Sequence, residues 1–327
     1  MRLVRLLFLL ILVGAAAFVF LVPFGPHTET FVDIPSGTGT QGMAARLKRG
    51  GVIRSAFAFE ALRALRGGRL KAGEYRFDHP APLNEIYARI AKGDVYTIQV
   101  TIPEGYNIFD IAQTIQGAKL AEADAFLAAE RRDTGLIRDL SPQAASLEGY
   151  LFPDTYRFSR HTTPDQMVAT MVKRFRQVTA GLGLAPGPDT ARTVTMASLI
   201  EKEVRVDSER PLVAGVFVNR LAQGMPLATD PTVAYAALLD GRWRGTIYQS
   251  DLASDSPYNT YRHAGLPPGP IANPGVAAFK AALQPAKTDF LYFVADAQGH
   301  SLFSRTLKEH NERVQAYRLA EKAAHPQ

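Results

Sequence analysis

The chain has 327 residues, 46% of them hydrophobic and 21% charged, with a formal net charge of +6 at neutral pH. That length and composition predict a real buried core and more than one domain, and they exclude a disordered or low-complexity protein. The positive excess comes without long Lys/Arg blocks or an aromatic-interleaved basic stripe, which suits contact with an anionic surface and argues against nucleic-acid recognition. Cysteine is absent, so disulfides, thiol nucleophiles and thiolate metal sites are excluded together.

Leu6 to Phe24 is a continuous run of apolar and small residues preceded by Arg2 and Arg5. The run predicts a single transmembrane anchor over 6–24, long enough to cross a bilayer as a helix. With both arginines ahead of it, the positive-inside rule keeps residues 1–5 in the cytoplasm and exports everything after Phe24 from the cytoplasmic (inner) membrane. A cleavable signal peptide is the competing reading, because Ala15-Ala16-Ala17 could imitate its small-residue site. Against it, apolar character continues directly from Phe18 to Val22.

Gly25, Pro26 and the polar residues to Thr30 read as a short linker. A small α/β domain is expected over 30–97, with a strand at "TFVDIPSG", helices over 41–48, 55–65 and 83–91, and a strand at "AGEYRF". The stretch "GTGTQG" formally matches a dinucleotide fingerprint. Its context does not, because Glu60 falls inside a helix where an acid should end a second strand. Around the next strand, "VYTIQVTIPEG", an internal echo appears. Ile-Pro-x-Gly followed at equal spacing by an apolar-Ala-x-x-apolar run occurs from Ile34 (Met43, Ala44, Leu47) and again from Ile102 (Ile111, Ala112, Ile115). This strand-turn-helix unit resembles the opening of LysM-type wall-binding modules.

A larger, mostly helical mixed domain is expected over 98–327. Met167, Val168, Met171, Val172 and Phe175 mark one amphipathic helix, and Asp189 or Thr190 can cap the next, which runs through "MASLIEKEV". A further helix begins near Pro211 and buries Val213, Val216, Phe217 and Leu221. "FLYFVA" and "HSLFS" flank a hairpin turn over 296–299, and a last helix starts near Thr306.

No zinc motif, nucleophile elbow or P-loop occurs, and nothing in the spacing of seven histidines selects a Ser-His-Asp triad. What remains are acids and amides, in "EGYLFPDTY" from Glu148, "EKE" from Glu201, "TDPTVAY" from Thr229, "YNTYRHAGLPPGPIANPG" from Tyr258 and "LYFVAD" from Leu291. On a helix, residues i and i+2 point about 200° apart, so Glu201 and Glu203 cannot share one site and are no glycosidase carboxyl pair. Either could be a solvated helix-end acid paired with Lys202 or Arg210, or a carboxyl desolvated against the wall of Val194, Met196, Leu199 and Ile200.

These five stretches, in this order behind one N-terminal anchor, resemble the YceG-like family of endolytic murein transglycosylases over nearly the whole chain. The resemblance implies an α+β enzyme with a small LysM-like α/β domain ahead of a larger catalytic domain. It would cut peptidoglycan glycan strands at the MurNAc-GlcNAc bond without water, leaving 1,6-anhydro-MurNAc ends. No metal or organic cofactor is implied; the partners would be glycan strands, the membrane, and cell-wall synthases or division proteins.

By the match Glu203 is the catalytic acid and base, although Val204 stands where such enzymes usually carry a hydroxyl residue. Glu201 and Glu148 are possible supporting acids, and Asp230, Tyr235, Asn259, Thr260 and Tyr261 are candidate substrate contacts. Asp230 also reads as a cap beside Pro231, and Tyr235 equally as core. The rival expectations are a non-catalytic peptidoglycan-binding scaffold and a hydrolytic muramidase.

Overall fold

A computed structural model describes residues 2–204, 206–296 and 298–324. The chain divides into two compact units, 1–98 and 99–327.

The first unit opens with α1 (Arg2–Leu21), whose span from Leu3 to Leu21 is long and apolar enough to cross a bilayer. It continues with β1 (Thr30–Ile34), α2 (Thr40–Arg49), α3 (Ala56–Arg66), β2 (Gly73–Phe77) and α4 (Leu83–Lys92). β1 and β2 pair antiparallel, from Thr30 opposite Phe77 to Ile34 opposite Gly73. This pairing replaces the parallel βαβ unit that a dinucleotide site would need. The alternation expected of a half-covered strand puts Val32 and Ile34 inside. They meet Met43, Ala44 and Leu47 from α2, Phe59 and Leu62 from α3, and Ile86, Tyr87 and Ile90 from α4. These residues recur at three- and four-residue intervals, which stack on one face of each helix. Ser55 caps α3 by accepting the Ala58 N–H, and Gly93 ends α4 in the left-handed conformation.

The second unit contains β3 (Ile98–Thr101, at the boundary), α5 (Ile108–Gly117), α6 (Ala123–Arg132), β4 (Thr155–Phe158), α7 (Pro164–Gly181), α8 (Thr190–Glu203), α9 (Arg210–Ala222), α10 (Asp230–Leu239), α11 (Gln249–Leu252), α12 (Val276–Leu283), β5 (Tyr292–Ala295), β6 (Ser301–Ser304) and α13 (Leu307–Ala324). β3 pairs with β4, and β5 with β6 as an antiparallel hairpin against which α13 packs. Ala297, in the hairpin turn read from the sequence, lies outside the described residues.

The internal echo has a structural counterpart. Both Pro-x-Gly glycines, Gly37 and Gly105, take positive φ (82° and 77°), which lets a strand turn sharply into a helix, and all six apolar echo residues are buried.

The helix α8 is the centre of this unit, packed by α9, α10 and α12. Val194, Ala197, Leu199 and Ile200 are fully buried, and so is Ser198, whose hydroxyl donates to Thr195 O and accepts the Ile271 N–H. Every residue from Val194 to Ile200 is buried, so this stretch is enclosed on all sides, and α8 reaches a surface only at Arg192 in its first turn and at its C-terminal end. The end is Glu203, because Val204 turns extended (φ −115°, ψ 124°).

Candidate active site

Glu203 opens into a cleft of about 940 Å³, within the ordinary range for ligand sites. Its walls include Arg220 from α9, Asp230 from α10, Tyr261, Tyr292 from β5, and His310, Val314 and Tyr317 from one face of α13.

The Glu203 carboxyl is half-buried at the end of the apolar helix, and among the described residues no hydrogen bond holds it. Burial pushes its pKa up to about 7, the nearby Asp230 charge adds to the rise, and Arg220 opposes it. A carboxyl that keeps its proton near neutral pH can act as a general acid and, once ionised, as a base.

Asp230 is the first residue of α10, and the N-cap is Thr229, so Asp230 is not the cap that Asp-Pro suggested. Its carboxylate instead accepts the Tyr261 hydroxyl at 2.7 Å. Burial and that acidic partner raise the Tyr261 pKa further, so the phenol stays a donor. The turn leading into Asp230 is strained at Ala228, a non-glycine residue at φ 49°. Thr260 holds it there. Its carbonyl accepts the Ala228 N–H at 3.0 Å, and its Oγ1 accepts the Thr229 N–H at 3.1 Å. The adjacent Asn259 donates from Nδ2 to the carbonyls of Leu252 and Ser254, while its Oδ1 accepts the Tyr261 N–H. Asn259 and Thr260 are buried at 0% and 1% exposure, so they aim Tyr261 and Asp230 rather than line the cleft themselves.

Tyr235 and Glu148 also lie away from the cleft walls. Glu148 is 2% exposed, accepts the Ile108 N–H at 2.9 Å and the Asn273 side-chain amide at 2.8 Å, and is bonded by Tyr235. Burial outweighs these donors and pushes its pKa up to about 8. The ring of Tyr235 packs 5.3 Å from that of Tyr258 in the same buried region.

Glu201 points where the helical angle requires, away from Glu203. Its carboxylate pairs with Arg210 at 3.0 Å and accepts the Gly275 N–H at 2.9 Å. The Glu104 carboxyl lies against Gly275 and would have to swing aside for a Cβ there. Glu201 therefore ties α8 to the start of α12.

Of the sequence candidates, the cleft brings together Glu203, Asp230 and Tyr261. It adds Arg220, Tyr292 and His310, which sequence reasoning missed. Arg220 donates from Nε to Leu291 O and from Nη1 to Leu227 O, both at 2.7 Å, with its Cζ 5.1 Å from the Tyr292 ring centroid. His310 stacks on the same Tyr292 ring, with the ring centroids 5.3 Å apart. Arg220 had a readable signal, because it continues the apolar face of Val213, Val216 and Phe217, where a charge needs a reason.

A model of the YceG-like family matches residues 32–316. The chain belongs to the YceG-like family. It is 36% identical to a protein of Bacillus subtilis named endolytic murein transglycosylase, over 89% of this chain and 85% of that one. A protein of the same name from Streptococcus pneumoniae is 30% identical over 90% of this chain, which spans 60% of the streptococcal length. The crystal structure of a YceG-like protein from Listeria monocytogenes covers 88% of this chain and 99% of its own, at 33% identity and a TM-score of 0.57. This YceG-like chain thus shares its family along both units.

Proposed function

We propose that this protein is a membrane-anchored lytic transglycosylase that cleaves the MurNAc-GlcNAc bond of peptidoglycan strands and leaves 1,6-anhydro-MurNAc ends. The observation that carries the reading is Glu203, a carboxyl with its pKa pushed up to about 7, lining a cleft large enough for sugar units. The names of the relatives supply the substrate class. Protonated Glu203 gives its proton to the glycosidic oxygen as the C1–O bond breaks. The resulting carboxylate then takes the proton of the C6 hydroxyl as that oxygen closes on C1, which returns Glu203 to its acid form and consumes no water. Arg220 stabilises the intermediate carboxylate, and the Asp230 charge returns its affinity for a proton. The apolar helix α1 serves as a single-pass anchor with the second unit exported. The first unit, with its LysM-like opening, holds the glycan strand, and cell-wall synthases or division proteins are its neighbours at the membrane.

A second reading, hydrolysis, is favoured by one observation: Asp230 shares the cleft with Glu203, and two carboxyls are what ordinary glycosidases use. Its carboxylate is already engaged by Tyr261, which suits a supporting group better than a nucleophile or water-activating base. Mass spectrometry of uncrosslinked glycan strands incubated with the full chain separates the two, because anhydro ends are expected from transglycosylation and reducing ends from hydrolysis. Glu203→Gln should give neither product. Strands bound without turnover by the parent protein would point to a scaffold instead.

A further inference from the structure

In the first unit, the guanidinium of Arg54 closes the C-terminal end of α1. Nη1 donates to the carbonyls of Phe18 and Val22 at 3.2 and 3.0 Å, and Nη2 to that of Pro23 at 3.3 Å. Its Cζ lies 4.3 Å from the Phe18 ring centroid and 4.8 Å from that of Phe24. Val19 and Phe20 pack against the core of the unit, and Phe24 exchanges two backbone hydrogen bonds of 3.1 Å with Ala81. The stretch from Phe18 to Phe24, ahead of the expected linker, is therefore held to the unit that follows. The last turn of the apolar helix is already part of the packing of the unit that follows.

The position of the bilayer follows from these contacts if α1 spans it. Nineteen residues from Leu3 to Leu21 rise about 28 Å, close to the ~30 Å thickness of a hydrocarbon core. The carbonyls held by Arg54 then lie at its outer boundary, a depth at which arginine keeps its charge at the headgroups while its stem lies in apolar surroundings. Phe57 follows Arg54 by three residues, so its Cα lies within about 11 Å of the Arg54 Cα. It stands in the first turn of α3 and is 79% exposed, although Ala58 and Phe59 beside it are buried. Helices seated on a membrane surface bury Trp, Phe and Leu side chains at the boundary between headgroups and acyl chains.

We propose that Phe57 enters the boundary between headgroups and acyl chains of the outer leaflet, so that the first unit is seated directly on the phospholipid surface. The proposal rests on α1 being the anchor, and the test separates the two. Because the chain has no cysteine, a single nitroxide label can be placed on the full-length protein. Leu10→Cys, Phe57→Cys and Asp94→Cys variants would be labelled in nanodiscs of phosphatidylethanolamine and phosphatidylglycerol. Relaxation by oxygen, which partitions into lipid, is compared with relaxation by a water-soluble nickel chelate. Labels at 10 and 57 are expected to favour oxygen, and the label at the exposed Asp94 to favour the chelate. A label at 57 that follows the Asp94 pattern while 10 still favours oxygen overturns the seating and leaves the anchor. Chelate access at all three positions overturns both.

Discussion

Glu203 and Arg220 line one cleft from the last turns of α8 and α9, and no hydrogen bond joins them among the described residues. The guanidinium acts on the carboxyl as a fixed charge, held by the carbonyls of Leu291 and Leu227. It lowers the Glu203 pKa against the larger effect of burial. Arg220→Gln should therefore move the alkaline limb of the pH–activity profile upward, since the acid form of Glu203 survives to higher pH. The maximal rate should fall about tenfold, or about 1.4 kcal/mol, because the carboxylate formed during the reaction loses its counter-charge. Arg220→Lys should keep the limb nearer its original place. An unmoved limb in the Gln variant would remove Arg220 from the electrostatics of the site.

Asp230 pulls the other way. Its negative charge raises the Glu203 pKa, so Asp230→Asn should bring the alkaline limb down in pH. Tyr261 loses a charged acceptor at the same time, and the two changes can be separated with Tyr261→Phe, which breaks the same bond but leaves the charge. Profiles of the three proteins should order Asn lowest, with Phe close to the parent. A limb that rises in the Asn variant would show that Asp230 does not act on Glu203 through its charge.

Glu201 is expected to matter for folding and not for chemistry. Its Gln variant leaves Arg210 with only the exposed Asp207, at 2.9 Å, as ionic partner, a change that costs about 1.5–3 kcal/mol for a lost charged hydrogen bond. Thermal melting should drop markedly, while turnover per folded molecule and the nature of the product ends stay unchanged. Loss of turnover at full stability would exchange the roles of Glu201 and Glu203.

The two glutamates also mark how far sequence reasoning reaches. Their opposite directions follow from helical geometry, and the apolar wall is legible because Val194, Met196, Leu199 and Ile200 spread apolar side chains around two consecutive turns of α8, all of them buried. The long apolar helix α1 and the two Pro-x-Gly turns were readable for similar local reasons. Asn259 and Thr260 were not, because an amide that bonds a sugar and one that bonds backbone look alike in sequence, and the partner of Thr260 lies 31 residues away. The contribution of α13 was hidden for a different reason. His310, Val314 and Tyr317 share a helical face, but only the tertiary placement of α13 turns that face into a cleft wall.

The buried Glu148 gives the protein a pH dependence of stability separate from catalysis. Burial pushes its pKa in the folded protein up to about 8 from the ordinary 4.5 of a glutamate, so the folded state binds the proton more tightly than the unfolded chain. The associated stability is fully present below about pH 4.5 and is lost as pH rises through about 8, a window worth on the order of a few kcal/mol. Glu130, also buried and pushed up to about 7, adds a contribution of the same sign. Glu148→Gln cannot ionise, so its melting temperature should change less between pH 5 and pH 8 than that of the parent. At pH 5 the variant should be the weaker protein by about 1–3 kcal/mol, since its amide N–H₂ faces donors that the carboxyl accepted. The gap should then narrow as the pH rises, and parallel melting profiles across that range would show that Glu148 does not carry the effect.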